Sequence, residues 1–188
     1  MFEVRIHGRG GQGVVTAAEL LALAAFDEGR WAQAFPSFGS ERMGAPVVSF
    51  CRIDDHEIRT REPVVAPDAL IVQDATLLHQ VNVFDGCKPD GFIVINSSRS
   101  FEELGIGELA GSFRHERLLT LPATSIAREH AGRAAANVAL LAGFAALTGL
   151  VTLDAVSRAI AERFAGPLAG GNLATARAAY ELVAGELS

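Results

Sequence analysis

The sequence predicts an α/β fold: a mostly parallel sheet with an antiparallel hairpin, flanked by helices and completed by a helical C-terminal part. Three observations predict it. Short runs of β-branched and aromatic residues alternate with helical text as far as residue 122. A glycine-rich turn joins the first strand to the first helix. After Pro122 the text is helical only, so the chain reads as one domain with a sheet part over 1–122 and a helical part over 123–188.

Residues 2–7 read as a buried strand. Residues 14–28 read as a helix, because Ala17, Leu20, Leu21 and Ala24 share one face and Gly29 stops it. Residues 31–35 are a second extended segment. Residues 45–53 and 57–61 look like two strands of a hairpin with a tight turn at Asp54-Asp55. Being antiparallel, that hairpin is expected as an insertion or at an edge. Further strands fall at 69–73, 92–96 and 118–122, with a helical turn from Ala75. Helices follow over 125–130, 134–147, 154–164 and 173–186. Thr152 and Asn172 suit the N-caps of the last two, and Gly166, Pro167, Gly170 and Gly171 mark the loop between them.

Composition narrows the function. The 188 residues carry 16 basic and 22 acidic groups, a net charge of −6, so no nucleic acid is expected as the main partner. Two cysteines, Cys51 and Cys87, are too few for a disulfide framework, a four-ligand zinc site or an iron–sulfur cluster. A free pair fits a reducing, cytoplasmic setting. The first residues lack the basic and apolar runs of a signal peptide. The charge-free stretch 134–153 has spanning length, but Asn137, Gly143, Thr148, Gly149 and Thr152 interrupt it, so a buried helix and no membrane are expected. His7, His56, His79, His115 and His130 have no metal-ligand spacing, and no serine sits in a nucleophile elbow. Asp54-Asp55 is explained by its turn, and Cys51, among alternating apolar residues, reads as an inert buried thiol.

The sharpest signal is Gly8-Arg9-Gly10-Gly11-Gln12-Gly13. It follows a strand and opens a helix, where free N–H groups and the helix dipole favour an anion. Arg9 offers a charge-assisted hydrogen bond from the same loop. The acidic residue that a dinucleotide site needs at the end of the second strand is missing. A tight turn packed on a neighbour, with no ligand, is the alternative.

A second constellation runs Phe35-Pro36-Ser37-Phe38-Gly39-Ser40-Glu41-Arg42-Met43-Gly44-Ala45-Pro46. If the second strand ends beside the first, this loop opens near the glycine turn. Ser37, Gly39, Ser40 and Arg42 then suit a phosphorylated ligand, whereas Phe35, Phe38 and Met43 suit a subunit interface.

These two loops at their spacing, with the strand 47–53 and the helical segments 134–151, 152–164 and 172–183, resemble the gamma subunit of pyruvate:ferredoxin and related 2-oxoacid:acceptor oxidoreductases. The resemblance covers most of the chain. It implies a subunit without a complete active site and with no catalytic residue. The enzyme would convert a 2-oxoacid and coenzyme A to acyl-CoA and CO2. Its alpha and beta subunits would hold thiamine diphosphate with Mg2+, and its beta and delta subunits [4Fe-4S] clusters. Electrons would pass to ferredoxin, or to NAD through a further FAD-bearing subunit. The gamma chain would lie on the coenzyme A side, with phosphate contacts at Gly8, Arg9, Gly10, Gly11, Gln12, Gly13, Ser37, Gly39, Ser40 and Arg42. Pyruvate is the default substrate, and an aryl 2-oxoacid such as phenylglyoxylate remains open. The rival reading is a self-standing α/β nucleotide-binding protein.

Overall fold

A computed structural model describes residues 1–37 and 43–187. Among them one sheet contains six strands: β1 (Phe2–Arg9), β2 (Trp31–Pro36), β3 (Pro46–Asp54), β4 (Ala69–Val72), β5 (Phe92–Asn96) and β6 (Leu118–Leu121). Their order is β2-β3-β1-β4-β5-β6. Strands β1, β4, β5 and β6 are parallel, and β3 runs antiparallel to both its neighbours. The helices are α1 (Val14–Asp27), α2 (Gly107–Ala110), α3 (Ala123–Ala131), α4 (Asn137–Thr148), α5 (Leu153–Arg163) and α6 (Gly166–Glu186), with 3-10 turns at Ala75–His79 and His115–Arg117. The α/β class and the helical C-terminal part are as the sequence predicts.

Strand alternation divides the interior. Val4, Ile6, Ala69, Ile71 and Val94 join α1, α4, α5 and α6 in the main core, so residues before and after 122 share one apolar interior. Val72, Ile93 and Ile95 point the other way, under Leu77, Leu78, Val83, Leu104 and Ile106. Arg5 and His7 alternate with Val4 and Ile6 on β1, and both are buried. Arg5 Nε donates to His7 Nε2 at 3.1 Å, and Arg5 Nη2 donates to the Val83 and Asp85 carbonyls, tying the loop before β5 under the sheet.

The expected hairpin over 45–61 is corrected. Residues 57–61 form no strand. Both edges of β3 are taken, by β1 and β2, so no edge is left for them. The antiparallel hairpin is β2 with β3, and β3 lies inside the sheet with β2 at its edge. Consequently β3, and not β2, neighbours β1.

The loop expected at Gly166–Gly171 is also helix: α6 starts at Gly166 and places Asn172 in its buried interior, not at a cap. Proline in the first turn loses no helical hydrogen bond. Gly171 allows close packing on α3, since a Cβ there would lie 3.0 Å from Ala131 Cα. Other helix ends follow the sequence. Gly29 (φ +78°) ends α1, Gly149 (φ +62°) ends α4, and Thr152 Oγ1 accepts from Ala155 N at 3.2 Å to cap α5. Within the charge-free stretch lies the 12-residue α4, buried from Asn137 to Ala145. No described helix is long and apolar enough to cross a membrane.

Candidate functional site

The glycine turn leaves the carboxyl end of β1 and is clipped to the start of β3. Gly10 N donates to Ala45 O at 2.9 Å, and Gly44 N donates to Gly10 O at 3.0 Å. The loop after β2 therefore reaches the glycine turn, through its last residues. Gly11 and Gly13 have φ of +89° and +73°, which a side chain resists. Crowding adds to this. A Cβ on Gly8 would lie 2.5 Å from Val14 Cγ2, one on Gly11 would run into Met43 Sδ, and one on Gly13 would lie 2.6 Å from Asn137 Nδ2.

Arg9 is braced by the protein itself. Its Nε donates to Asp74 Oδ2 at 3.1 Å, its Nη1 to Gly44 O at 3.1 Å, and its Nη2 to Thr76 Oγ1 and Gln80 Oε1 at 2.7 Å each. Gln12 completes the ring: Oε1 accepts from Arg9 N and Nε2 donates to Asp74 Oδ2, both at 2.8 Å. Thr76 and Gln12, followed by Arg9, hold the Asp74 carboxyl below its ordinary value against the opposing effect of burial. Arg9→Ala should therefore cost about 1–2 kcal/mol of stability, discounted for partial exposure. Urea unfolding checks this. Unchanged stability with weakened ligand binding would instead put the guanidinium on the ligand.

Two recesses flank Gln12. The first, a hollow of about 370 Å³, is walled by Gly11, Gln12, Gly13, Thr16, Arg133 and Asn137. It opens at the amino ends of α1 and α4. Neither helix has a side chain capping its first turn among the described residues, which leaves first-turn N–H groups without a side-chain acceptor at this end. Asn137 Nδ2 joins the two ends by donating to Gly13 O at 3.4 Å. Arg133 is exposed and, among the described residues, makes no hydrogen bond or ion pair. Among the described residues no acidic side chain lines the hollow, so helix dipoles and the Arg133 guanidinium favour a positive field there. The second recess, of about 230 Å³, is walled by Gln12, Gln73, Asp74, Asn96 and Thr124, beyond the carboxyl ends of β4 and β5. Ligands of open parallel sheets bind at that end.

Of the expected contact residues, Gly11, Gln12 and Gly13 line the hollow, Gly8 packs beneath Val14, and Gly10 clips the turn. Ser37 is exposed and stands apart: its N–H extends the β2–β3 ladder to Val48 O at 2.9 Å, with β3 between it and β1. Phe38, Gly39, Ser40 and Arg42 lie outside the described residues. Phe35 stacks on Phe50 at 5.1 Å, whereas Met43 is 85 % exposed. Sequence reasoning missed Thr16, Gln73, Arg133 and Asn137 as wall residues. Only Asn137 carried a signal, as the amide in a charge-free stretch.

The thiols suit no metal chemistry. Cys51 is buried in β3 and burial pushes its pKa up strongly, while Cys87 is pushed up to about 11, chiefly by burial. Two cysteines in the chain do not fit a four-thiolate cluster.

Fold and site define an α/β domain with a polar hollow beside the glycine turn that leaves the carboxyl end of β1. Residues 3–182 match the family described as pyruvate ferredoxin/flavodoxin oxidoreductase. The pyruvate synthase subunit PorC of Methanothermobacter thermautotrophicus is 47% identical over 96% of this chain and 95% of that one. The common gamma subunit of the pyruvate/ketoisovalerate oxidoreductases of Pyrococcus furiosus is 45% identical over 96% of each. The crystal structure of the pyruvate oxidoreductase subunit PORC from Thermotoga maritima superposes with a TM-score of 0.79 at 33% identity, over 96% of this chain and 95% of that one. The chain belongs to this family, as a subunit of its gamma type.

Proposed function

We propose that this chain serves a cytoplasmic, coenzyme A-acylating 2-oxoacid oxidoreductase by holding the phosphate end of coenzyme A in the hollow at Gly11–Gly13. The observation that carries this reading is the convergence of two uncapped helix amino ends and Arg133 on one space where, among the described residues, Arg133 is unpaired and no acidic side chain stands. A polyanion suits that field, and the first-turn N–H groups grip it without a side chain in the way. Thr16 adds a hydroxyl, and Arg9 holds the turn in shape from behind.

The alpha, beta and delta partners would hold thiamine diphosphate with Mg2+ and the [4Fe-4S] clusters. The thiamine supplies the carbanion chemistry of decarboxylation when bound there. Ferredoxin is the acceptor that we favour. Pyruvate is the substrate best supported, by the names of the relatives above; an aryl 2-oxoacid and NAD, through an FAD-bearing subunit, have no counterpart among those names. Because the Pyrococcus relative is named as common to two oxidoreductases, the gamma chain is assigned no part in choosing the 2-oxoacid.

In the assembled enzyme, Arg133→Ala should raise the apparent KM for coenzyme A roughly ten-fold, the loss of one charge-assisted hydrogen bond. The KM for the 2-oxoacid should stay as it is. Steady-state assays normalised to thiamine content test this, and an unchanged coenzyme A dependence would overturn the reading. A chain that folds and binds coenzyme A in full without partners would favour the self-standing nucleotide-binding alternative.

A further inference from the structure

Gln73 lies just beyond β4 and is 3 % exposed. Its backbone is engaged on both sides: N–H donates to His7 O at 2.7 Å, and C=O accepts from Asn96 Nδ2 at 2.9 Å. Its side-chain amide is not. Among the described residues, neither Nε2 nor Oε1 has a hydrogen-bond partner. The polar side chains around it are paired. Asp74 accepts from Arg9, Gln12 and Thr76. Asn96 Nδ2 also donates to Thr124 Oγ1 at 2.8 Å, and Asn96 Oδ1 accepts from Thr124 N.

A buried amide without partners is destabilising, and its retention asks for a reason. The amide carries both a donor and an acceptor, so a trans secondary amide of a ligand can pair with one of them, through its C=O or its N–H. The recess that Gln73 lines adjoins the hollow at the glycine turn, and Gln12 and Ala134 belong to both walls. Coenzyme A continues from its phosphates into a pantetheine arm with two secondary amides. We propose that Gln73 binds an amide of that arm, so that the second recess is the pantetheine subsite of the ligand whose phosphates lie in the hollow. The inference rests on coenzyme A occupying that hollow.

The assembled enzyme is titrated calorimetrically with coenzyme A, with pantetheine and with adenosine 3′,5′-bisphosphate. Gln73→Leu should weaken coenzyme A and pantetheine about 5–10-fold and leave the bisphosphate unchanged. The same substitution should raise Tm by about 2–4 °C, because it removes the unpaired amide. A merely structural glutamine would do the opposite. Gln73→Met, unbranched and of similar length, repeats the test should leucine fit poorly. Unchanged pantetheine affinity, an equal loss for the bisphosphate, a lower Tm in both variants, or release of a partner subunit would each overturn the assignment. Arg133→Ala should show the reverse pattern, weakening the bisphosphate and sparing pantetheine. Its failure to touch the bisphosphate would overturn the coenzyme A reading, and the pantetheine assignment with it.

Discussion

Gly13→Ala should destabilise the chain by about 2–5 kcal/mol and abolish the hollow at the glycine turn. Two effects combine. A side chain at φ +73° costs about 1–2 kcal/mol. The added Cβ also falls 2.6 Å from Asn137 Nδ2, and overpacking of this kind costs about 1–3 kcal/mol. Asn137 is buried at the start of the core helix α4, so yielding there shifts a wall of the hollow. Gly29→Ala is the control. It has a similar φ of +78° but nothing within 4 Å of its Cβ, so it should lose only the backbone part. Urea midpoints of the two variants separate crowding from strain. Equal losses would remove Asn137 from the account.

Acidification should weaken the fold through His7. Burial first, and the Arg5 charge second, hold its pKa at about 4, below the ordinary 6.5. The Nε2 that accepts from Arg5 cannot also carry a proton. Between pH 6.5 and 4 the unfolded chain therefore binds a proton that the folded chain refuses. The contribution is complete above pH 6.5 and is lost as pH falls toward 4, with about 2 kcal/mol gone by pH 5. His7→Gln keeps an acceptor for Arg5 and does not titrate, so its urea midpoint should fall less between pH 7.5 and pH 5. Parallel declines in both proteins would show that another group titrates.

Where periodicity was strong, the sequence was sufficient. The α1 face of Ala17, Leu20, Leu21 and Ala24 is buried as its spacing implies, and Gly29 and Gly149 end their helices in the left-handed conformation. Pairing was less legible. Residues 57–61 alternate like a strand, but whether an edge is free for them depends on β1 and β2, which local pattern does not encode. Gly171 looked like loop because its value lies in a neighbour 40 residues away, Ala131 on α3. The candidate site divides the same way. Its turn was legible from glycine spacing, whereas Arg133, Asn137 and Gln73 reach it only through the folding of α4 and β4. The bracing of Arg9 was not legible for a related reason: its partners Asp74, Thr76 and Gln80 are more than sixty residues distant.

Helix α1 is fastened at both ends by late parts of the chain. Asn137 reaches Gly13, Thr152 donates to Glu28 Oε1 at 2.9 Å from its backbone, and Arg158 holds Asp27 at 2.6 Å, across separations of 124, 124 and 131 residues. Closing such long loops is entropically costly and slow. At ribosomal speeds, the interval between making Glu28 and making Thr152 is about 6–25 s. For that time the glycine turn exists as a sequence with no opposite wall. A nascent chain has no closed hollow until most of its length has emerged, so the first half of the chain cannot set the turn alone.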